Sequence, residues 1–161
     1  MTIDLAALPY RPCVGVMLVN PAGKVFVGQR IDSKEGDRWQ MPQGGIDDGE
    51  DVLAAAFREL AEETGIDESR ATILATTSNE LLYDLPDELL GKLWGGQYRG
   101  QRQTWVQMRF TGEDGDVDLA AHDPPEFLAW KWAEPEEILD LIVPFKRRVY
   151  RAVLDEFREL I

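Results

Sequence analysis

Apolar residues fall into two kinds of run along this chain. Five runs, near 13–19, 24–29, 72–78, 103–111 and 127–132, are rich in β-branched and aromatic residues and read as strands. The first two flank Pro21-Ala22-Gly23, a hairpin-turn signal. Three other stretches, near 51–64, 135–142 and 144–159, follow helical spacing. In the last of them Phe145, Val149, Val153 and Phe157 recur every fourth position, which predicts one buried stripe. In the first, Leu53, Phe57 and Leu60 fall at i, i+4 and i+7 and are expected to form the core face, with Gly65 as the left-handed cap beyond it. Strands mixed with helices predict the α/β class, a sandwich with helices on both faces of the sheet.

The helix near 51–64 also carries Glu59, Glu62 and Glu63 at i, i+3 and i+4, adjacent on the helix surface within an arc of roughly 100°. Carboxylates this close repel one another, and a divalent cation that prefers oxygen donors would reverse the penalty. A run of charge alone is usually a solvated face. Here the acids sit beside the apolar stripe rather than opposite it, and a glycine-rich loop, PQGGIDDGE, leads into the helix.

Composition narrows the picture. Of 161 residues 44% are apolar, enough for one globular domain over 1–161 with a single core. No linker or repeat divides it, and no run of about 18 apolar residues predicts a membrane span. MTIDLAALPYRP lacks a basic region followed by an apolar one, so no signal peptide is expected. The single Cys13 lies in an apolar run and reads as a small core residue, which suits a reducing cytoplasm. The net charge of −13 argues against broad, sequence-independent nucleic-acid binding, including DNA. The lone His122, in AAHDPPE, excludes a two-histidine metal site and reads as an exposed loop residue. Neither G-x-S-x-G nor a Walker-type loop is present.

Gly44, Glu50, Arg58, Glu59, Leu60, Glu62, Glu63, Gly65 and Ile66 fill every defined position of the pattern G-x5-E-x7-R-E-U-x-E-E-x-G-U, where U is bulky and apolar. This is the Nudix box, here over 44–66, and the chain is identified by it as resembling Nudix hydrolases. The resemblance implies an α/β/α sandwich around a mixed sheet, and hydrolysis of a nucleoside diphosphate linked to another moiety. It also implies that Glu59, Glu62 and Glu63 are metal ligands, joined by a backbone carbonyl near Gln43 or Gly44. Arg58 resembles the box arginine that orients a glutamate, and it can reach Glu62 at i+4; Glu50 reads as structural. An all-oxygen donor set without histidine suits Mg²⁺ or Mn²⁺, in several ions, and disfavours zinc.

Beyond the box, YRPCVGVMLVN, WQMPQGGID, LLYDLP, GQRQTW, PPEFLAWKW and PFKRRVY resemble the bacterial RNA 5′-pyrophosphohydrolase and dinucleoside polyphosphate hydrolase subfamily. By that resemblance Glu126 binds metal or acts as general base, against the plainer reading of an exposed loop acid; Glu59 shares the candidacy for base. Val143, Phe145 and Lys146, Tyr83 and Arg30 are the substrate-binding candidates. For Phe145 the alternative is the buried stripe, for Lys146 a solvated cation, for Tyr83 a half-buried strand aromatic. Some relatives carry an arginine pair where this chain has Gln29-Arg30, and the loop that follows, IDSKEGDR, is longer than in some. Arg99, Arg102, Arg147 and Arg148 are candidates for the edge of a phosphate path. The expected substrates are 5′-tri- or diphosphorylated RNA ends, dinucleoside polyphosphates such as diadenosine tetraphosphate, or both. The alternatives are a nucleotide-sugar or damaged-nucleotide pyrophosphatase and a non-catalytic nucleotide sensor. The sequence leaves the oligomeric state open.

Overall fold

A computed structural model describes residues 7–31 and 38–161. Most of the IDSKEGDR loop, and the start of the N-terminal segment, lie outside them. The strands are β1 (Tyr10–Val19), β2 (Val25–Arg30), β3 (Trp39–Gln40), β4 (Gln43–Gly45), β5 (Ala71–Thr76), β6 (Leu81–Asp84), β7 (Gly100–Phe110) and β8 (Phe127–Ala133). The helices are α1 (Val52–Thr64), α2 (Ile138–Leu141) and α3 (Arg147–Phe157).

The sheet is mixed. β1 and β7 run parallel at its centre, from Tyr10 opposite Gly100 to Val19 opposite Arg109. The other pairings among the described residues are antiparallel: β2 and β4 on β1, β5 and β6 on β7, β3 and β8 on β2. Both faces of β1 are buried, which is why its sequence is a continuous apolar run instead of an alternation. Val14, Val16 and Leu18 join the core under α1, while Met17 and Val19 join the core under α2 and α3. Gly15 interrupts the run for room: a Cβ there would stand 2.5 Å from the Trp105 indole. In the hairpin between β1 and β2 the Asn20 carboxamide oxygen accepts the N–H groups of Ala22 and Lys24, and Gly23 takes φ +79°.

α1 starts at Asp51, whose carboxylate accepts the N–H groups of Leu53 and Ala54, a cap worth about 1 kcal/mol. It stops at Gly65, with φ +75° and its N–H on the Ala61 carbonyl. Its buried face differs from the expected one. Leu53 is 37% exposed and Phe57 only half-buried, whereas Ala55, Ala56 and Leu60 are sealed. The small alanines let α1 settle close on the sheet, and the axis then turns Glu59 and Glu63 inward as well. In the last helix, Val149, Val153 and Phe157 form the predicted stripe. Phe145 precedes it, in the 3₁₀ turn Pro144–Lys146, and packs at the core's edge. Among the described residues no helix is long and apolar enough to cross a membrane.

Candidate active site

Pairing of β4 with β1 places Gly44 opposite Val14 and Gly45 opposite Cys13, and α1 crosses directly above. Gly44 brings the loop backbone against Glu59, so that a Cβ there would lie 2.2 Å from the Glu59 carboxyl carbon and would displace the carboxylate. Behind this contact Arg58 ties the loop to the helix. Its Nε and Nη2 donate to the two Glu50 oxygens at 2.7 and 2.8 Å, and Nη2 also donates to the Gly45 carbonyl at 2.8 Å. Its Nη1 donates to Glu59 at 2.9 Å and to Glu62 at 3.3 Å. A planar guanidinium can serve all of these at once; a lysine ammonium could not. Glu50 is held down at about 2 by the Arg58 hydrogen bonds and by the Asp47 N–H. It is a structural partner, as expected from the sequence.

Glu59 and Glu63 are 9% and 5% exposed. Burial pushes the Glu59 carboxyl up, with Arg58 opposing and Glu62 adding to the rise. Burial pushes Glu63 well above the ordinary range, reinforced by the charges of Glu59 and Glu126, while the Gln43 N–H donating to it at 3.2 Å pulls the other way. Glu126 comes from the segment before β8. Its carbonyl accepts the Ile31 N–H at 3.0 Å, extending the β2–β8 pairing, and its carboxylate lies 4.0 Å from Arg30. Among the described residues no three acidic, histidine or cysteine side chains converge closely enough to enclose an ion. Arg58 and the Gln43 N–H hold the carboxylates along one wall. The donors nevertheless fit a hard divalent cation: they are all oxygens, and two of them are buried carboxylates whose charge burial disfavours.

That wall belongs to a cavity of about 750 Å³. Gln43, Gly44, Glu59, Glu62, Glu63 and Glu126 line it together with Arg30, Tyr83, Val143, Phe145 and Lys146. Arg58 lies behind the lining, on the glutamates. Tyr83 and Phe145 face each other with centroids 5.7 Å apart, and Lys146 Nζ stands 5.6 Å from the Tyr83 centroid. Tyr83 is 5% exposed, so it is at once a strand aromatic in the core and a cavity wall. Burial brings Lys146 down to about 8, with Arg30 adding to the fall. Arg99, Arg102, Arg147 and Arg148 are not on the cavity. They bond to Asp84, Glu80, the Leu139 carbonyl and the Leu82 carbonyl respectively. His122 is exposed, and Cys13 is buried with its thiol pushed up to about 11 by burial.

The cavity also holds residues that the site reading of the sequence did not name, among them Arg11, Arg38, Trp39 and Gln101. Arg11 and Gln101 lie in YRPCVGVMLVN and GQRQTW, segments that stood out, but only the parallel β1–β7 register brings them opposite each other.

The NUDIX domain pattern matches residues 9–153. The chain belongs to the Nudix family. A protein named RNA pyrophosphohydrolase from Novosphingobium aromaticivorans is 69% identical over 161 residues, covering 100% of both chains. One of the same name from Erythrobacter litoralis is 62% identical over 158 residues, covering 98% of this chain and 96% of that one. Among solved structures, the E. coli dihydroneopterin triphosphate pyrophosphohydrolase has a TM-score of 0.71 at 22% identity, over 91% of this chain and 96% of that one. A binary complex of the C. elegans Ap4A hydrolase has a TM-score of 0.66 at 23% identity, over 92% and 98%. These two share the Nudix fold. The chain is a Nudix enzyme that hydrolyses phosphoanhydride bonds, and enzymes of this family generally use divalent metal ions.

Proposed function

We propose that this Nudix domain, spanning 1–161, acts on the 5′ end of RNA, converting a 5′-triphosphate or 5′-diphosphate to a 5′-monophosphate, and that it also splits dinucleoside polyphosphates. One observation carries the reading: a single cavity is lined by oxygen donors and also by cations and aromatic rings. Those are the three chemistries that a nucleoside polyphosphate needs, for its metal-bound phosphates, its remaining phosphate oxygens and its base. The full-length likeness to proteins named RNA pyrophosphohydrolase favours RNA as the main substrate.

Glu59, Glu62, Glu63 and Glu126, with main-chain oxygen near Gln43 and Gly44, hold Mg²⁺ or Mn²⁺, more than one ion per site. When bound, such ions polarise the phosphoryl group, activate water and neutralise the leaving group. Arg58 keeps Glu59 and Glu62 oriented. Val143 and Phe145 offer apolar and aromatic surface to the base, Tyr83 stands by the polyphosphate, and Lys146 and Arg30 offer charge to the phosphates. The general base is Glu59 or Glu126: burial raises the Glu59 carboxyl above its ordinary range, and Glu126 lines the same cavity. We place the enzyme in the cytoplasm, where a lone buried thiol is at no disadvantage.

The deciding experiment is parallel kinetics on 5′-triphosphorylated RNA, diadenosine tetraphosphate and a nucleotide-sugar panel, with Mg²⁺ or Mn²⁺. RNA should lose pyrophosphate and keep a 5′-monophosphate, at the highest kcat/KM of the set. Glu59→Gln and Glu126→Gln should cut turnover about 10²–10⁴-fold with the fold retained, and their kcat/KM pH profiles assign the base. Faster turnover of a nucleotide sugar, or full activity in Glu59→Gln, would refute the reading.

A further inference from the structure

Of the three buried glutamines of β7, Gln101 and Gln103 stand at alternate positions, each 2% exposed, and Gln43 reaches Gln103 from β4. Trp105 Nε1 donates to Gln103 Oε1 at 2.8 Å. Gln103 Nε2 donates to Gln43 Oε1 at 3.0 Å and to Gln101 Oε1 at 2.7 Å. The two ends of an amide are alike in shape, so only their partners tell them apart. In this network the polarity is decided from one end. An indole N–H can only donate, so the Gln103 atom facing it is the oxygen. The Gln103 nitrogen then faces the other two glutamines and gives each one hydrogen. Whatever receives those hydrogens must accept, so Gln43 and Gln101 turn their carbonyl oxygens toward Gln103. Their NH₂ groups are left for other partners.

Both glutamines line the cavity. Among the described residues the Gln101 nitrogen has no protein acceptor, and the fully buried side-chain polar atom without a partner is Gln107 Oε1, so the Gln101 nitrogen is not sealed inside protein. Gln101 stands opposite Arg11 on one side and Tyr83 on the other, and directly opposed residues share a face of the sheet. Arg11 and Tyr83 both line the cavity. At the other amide, the Gln43 main-chain N–H rests on Glu63. The pair therefore runs from the acidic wall to the Arg11 corner.

We propose that Trp105 and Gln103 are positioning residues that fix Gln43 and Gln101 as a pair of neutral N–H donors for oxygens of the substrate's polyphosphate chain. Neutral donors grip anionic oxygens through charge-assisted hydrogen bonds without competing, as another cation would, for the nearby glutamates. The donor direction matters as much as the contact. Were either amide reversed, a carbonyl oxygen would meet the phosphate and repel it. This inference rests on the polyphosphate reading given above.

Inorganic tripolyphosphate with Mg²⁺, which contains no RNA, is the probe. In the ¹⁵N-labelled protein the side-chain NH₂ resonances of Gln43 and Gln101 should shift saturably as it is added. Gln103→Met removes the relay, and Gln101→Met removes one donor without touching Trp105. Each should weaken tripolyphosphate binding and raise KM on 5′-triphosphorylated RNA roughly tenfold, with kcat changed less than about threefold. Amide resonances that stay still, whether tripolyphosphate binds elsewhere or not at all, would overturn the inference. So would an unchanged KM in Gln101→Met. Were RNA not hydrolysed while the amides still moved, the RNA reading would fall and the donor pair would stand; hydrolysis of RNA with unmoved amides sinks the donor pair alone.

Discussion

Gly44 and Glu59 meet backbone to carboxyl, close enough that one added methyl group on Gly44 would stand 2.2 Å from the Glu59 carboxyl carbon. The neighbour is the end of a side chain, so the fold can yield. The carboxylate, held by Arg58 at 2.9 Å, cannot yield without moving. Gly44→Ala should therefore leave the melting temperature nearly unchanged and still lower kcat by about 10²-fold, the cost of an ångström-scale misplacement of a reacting group. Equal loss of stability and activity would show that the glycine serves the loop and not Glu59.

The acid limb of stability tests the Arg58–Glu50 clamp. Glu50 sits at about 2 in the folded protein, below the ordinary glutamate range. A carboxylate with a depressed folded value adds stability above its unfolded value, and loses it as pH falls through the folded one. Glu50→Gln should thus lower the urea midpoint at pH 7. The gap to wild type should begin to close below about pH 4 and vanish near pH 2. A gap independent of pH would mean that shape, not charge, makes the contact.

How much of this was legible in the sequence depends on the range over which each feature is encoded. The box helix is local: Asp51 caps one end and Gly65 the other, and the prediction of 51–64 meets Val52–Thr64 in the structure. The strands with long β-branched runs are local too. β3 and β4 are two and three residues long, and too short for any periodicity to mark. β6, Leu81–Asp84, alternates burial over only four residues. Leu53 falls outside the buried face because the i, i+4, i+7 reading weighs only the large apolar residues, whereas the helix seats its small alanines, Ala55 and Ala56, on the sheet. The metal-ligand and substrate-binding candidates named from the sequence come to one cavity; Arg58 lies behind it, and Arg99, Arg102, Arg147 and Arg148 lie off it. Their roles follow from resemblance. Arg11 and Gln101 needed the β1–β7 register, a contact between residues ninety positions apart in sequence. No local pattern carries that information.

Lys146 gives the alkaline limb. Its ammonium, brought down to about 8 by burial and then by Arg30, is cationic below that pH and neutral above it. Only the cation attracts a polyphosphate. On that basis kcat/KM, which reports the free enzyme, should fall through a midpoint near 8 as pH rises. Lys146→Arg keeps its charge throughout and should remove this limb, whatever it does to the plateau. A limb that persists unchanged in Lys146→Arg would assign the titration to another group.

Glu63 sets ion binding against stability. Its carboxyl is raised well above the ordinary range, chiefly by burial and then by Glu59 and Glu126. A raised folded value means that the fold favours the neutral form. The stability this gives is complete below the unfolded value, about 4.3, and is lost as pH rises through the folded one. At neutral pH the metal-free protein must either bury an uncompensated charge or hold a proton. Glu63→Gln removes that burden. In EDTA at pH 7 to 8 it should melt above wild type, each kcal/mol released being worth about 2–4 °C, and the advantage should fade toward about pH 4. Adding Mg²⁺ should reverse the order, because a ligand that binds only the folded state stabilises the chain that binds it better. Differential scanning calorimetry of both proteins, with and without the ion, measures all four values. A Glu63→Gln protein that melts lower in EDTA would mean that the Gln43 N–H outweighs burial, and the carboxylate would then be a structural acceptor first.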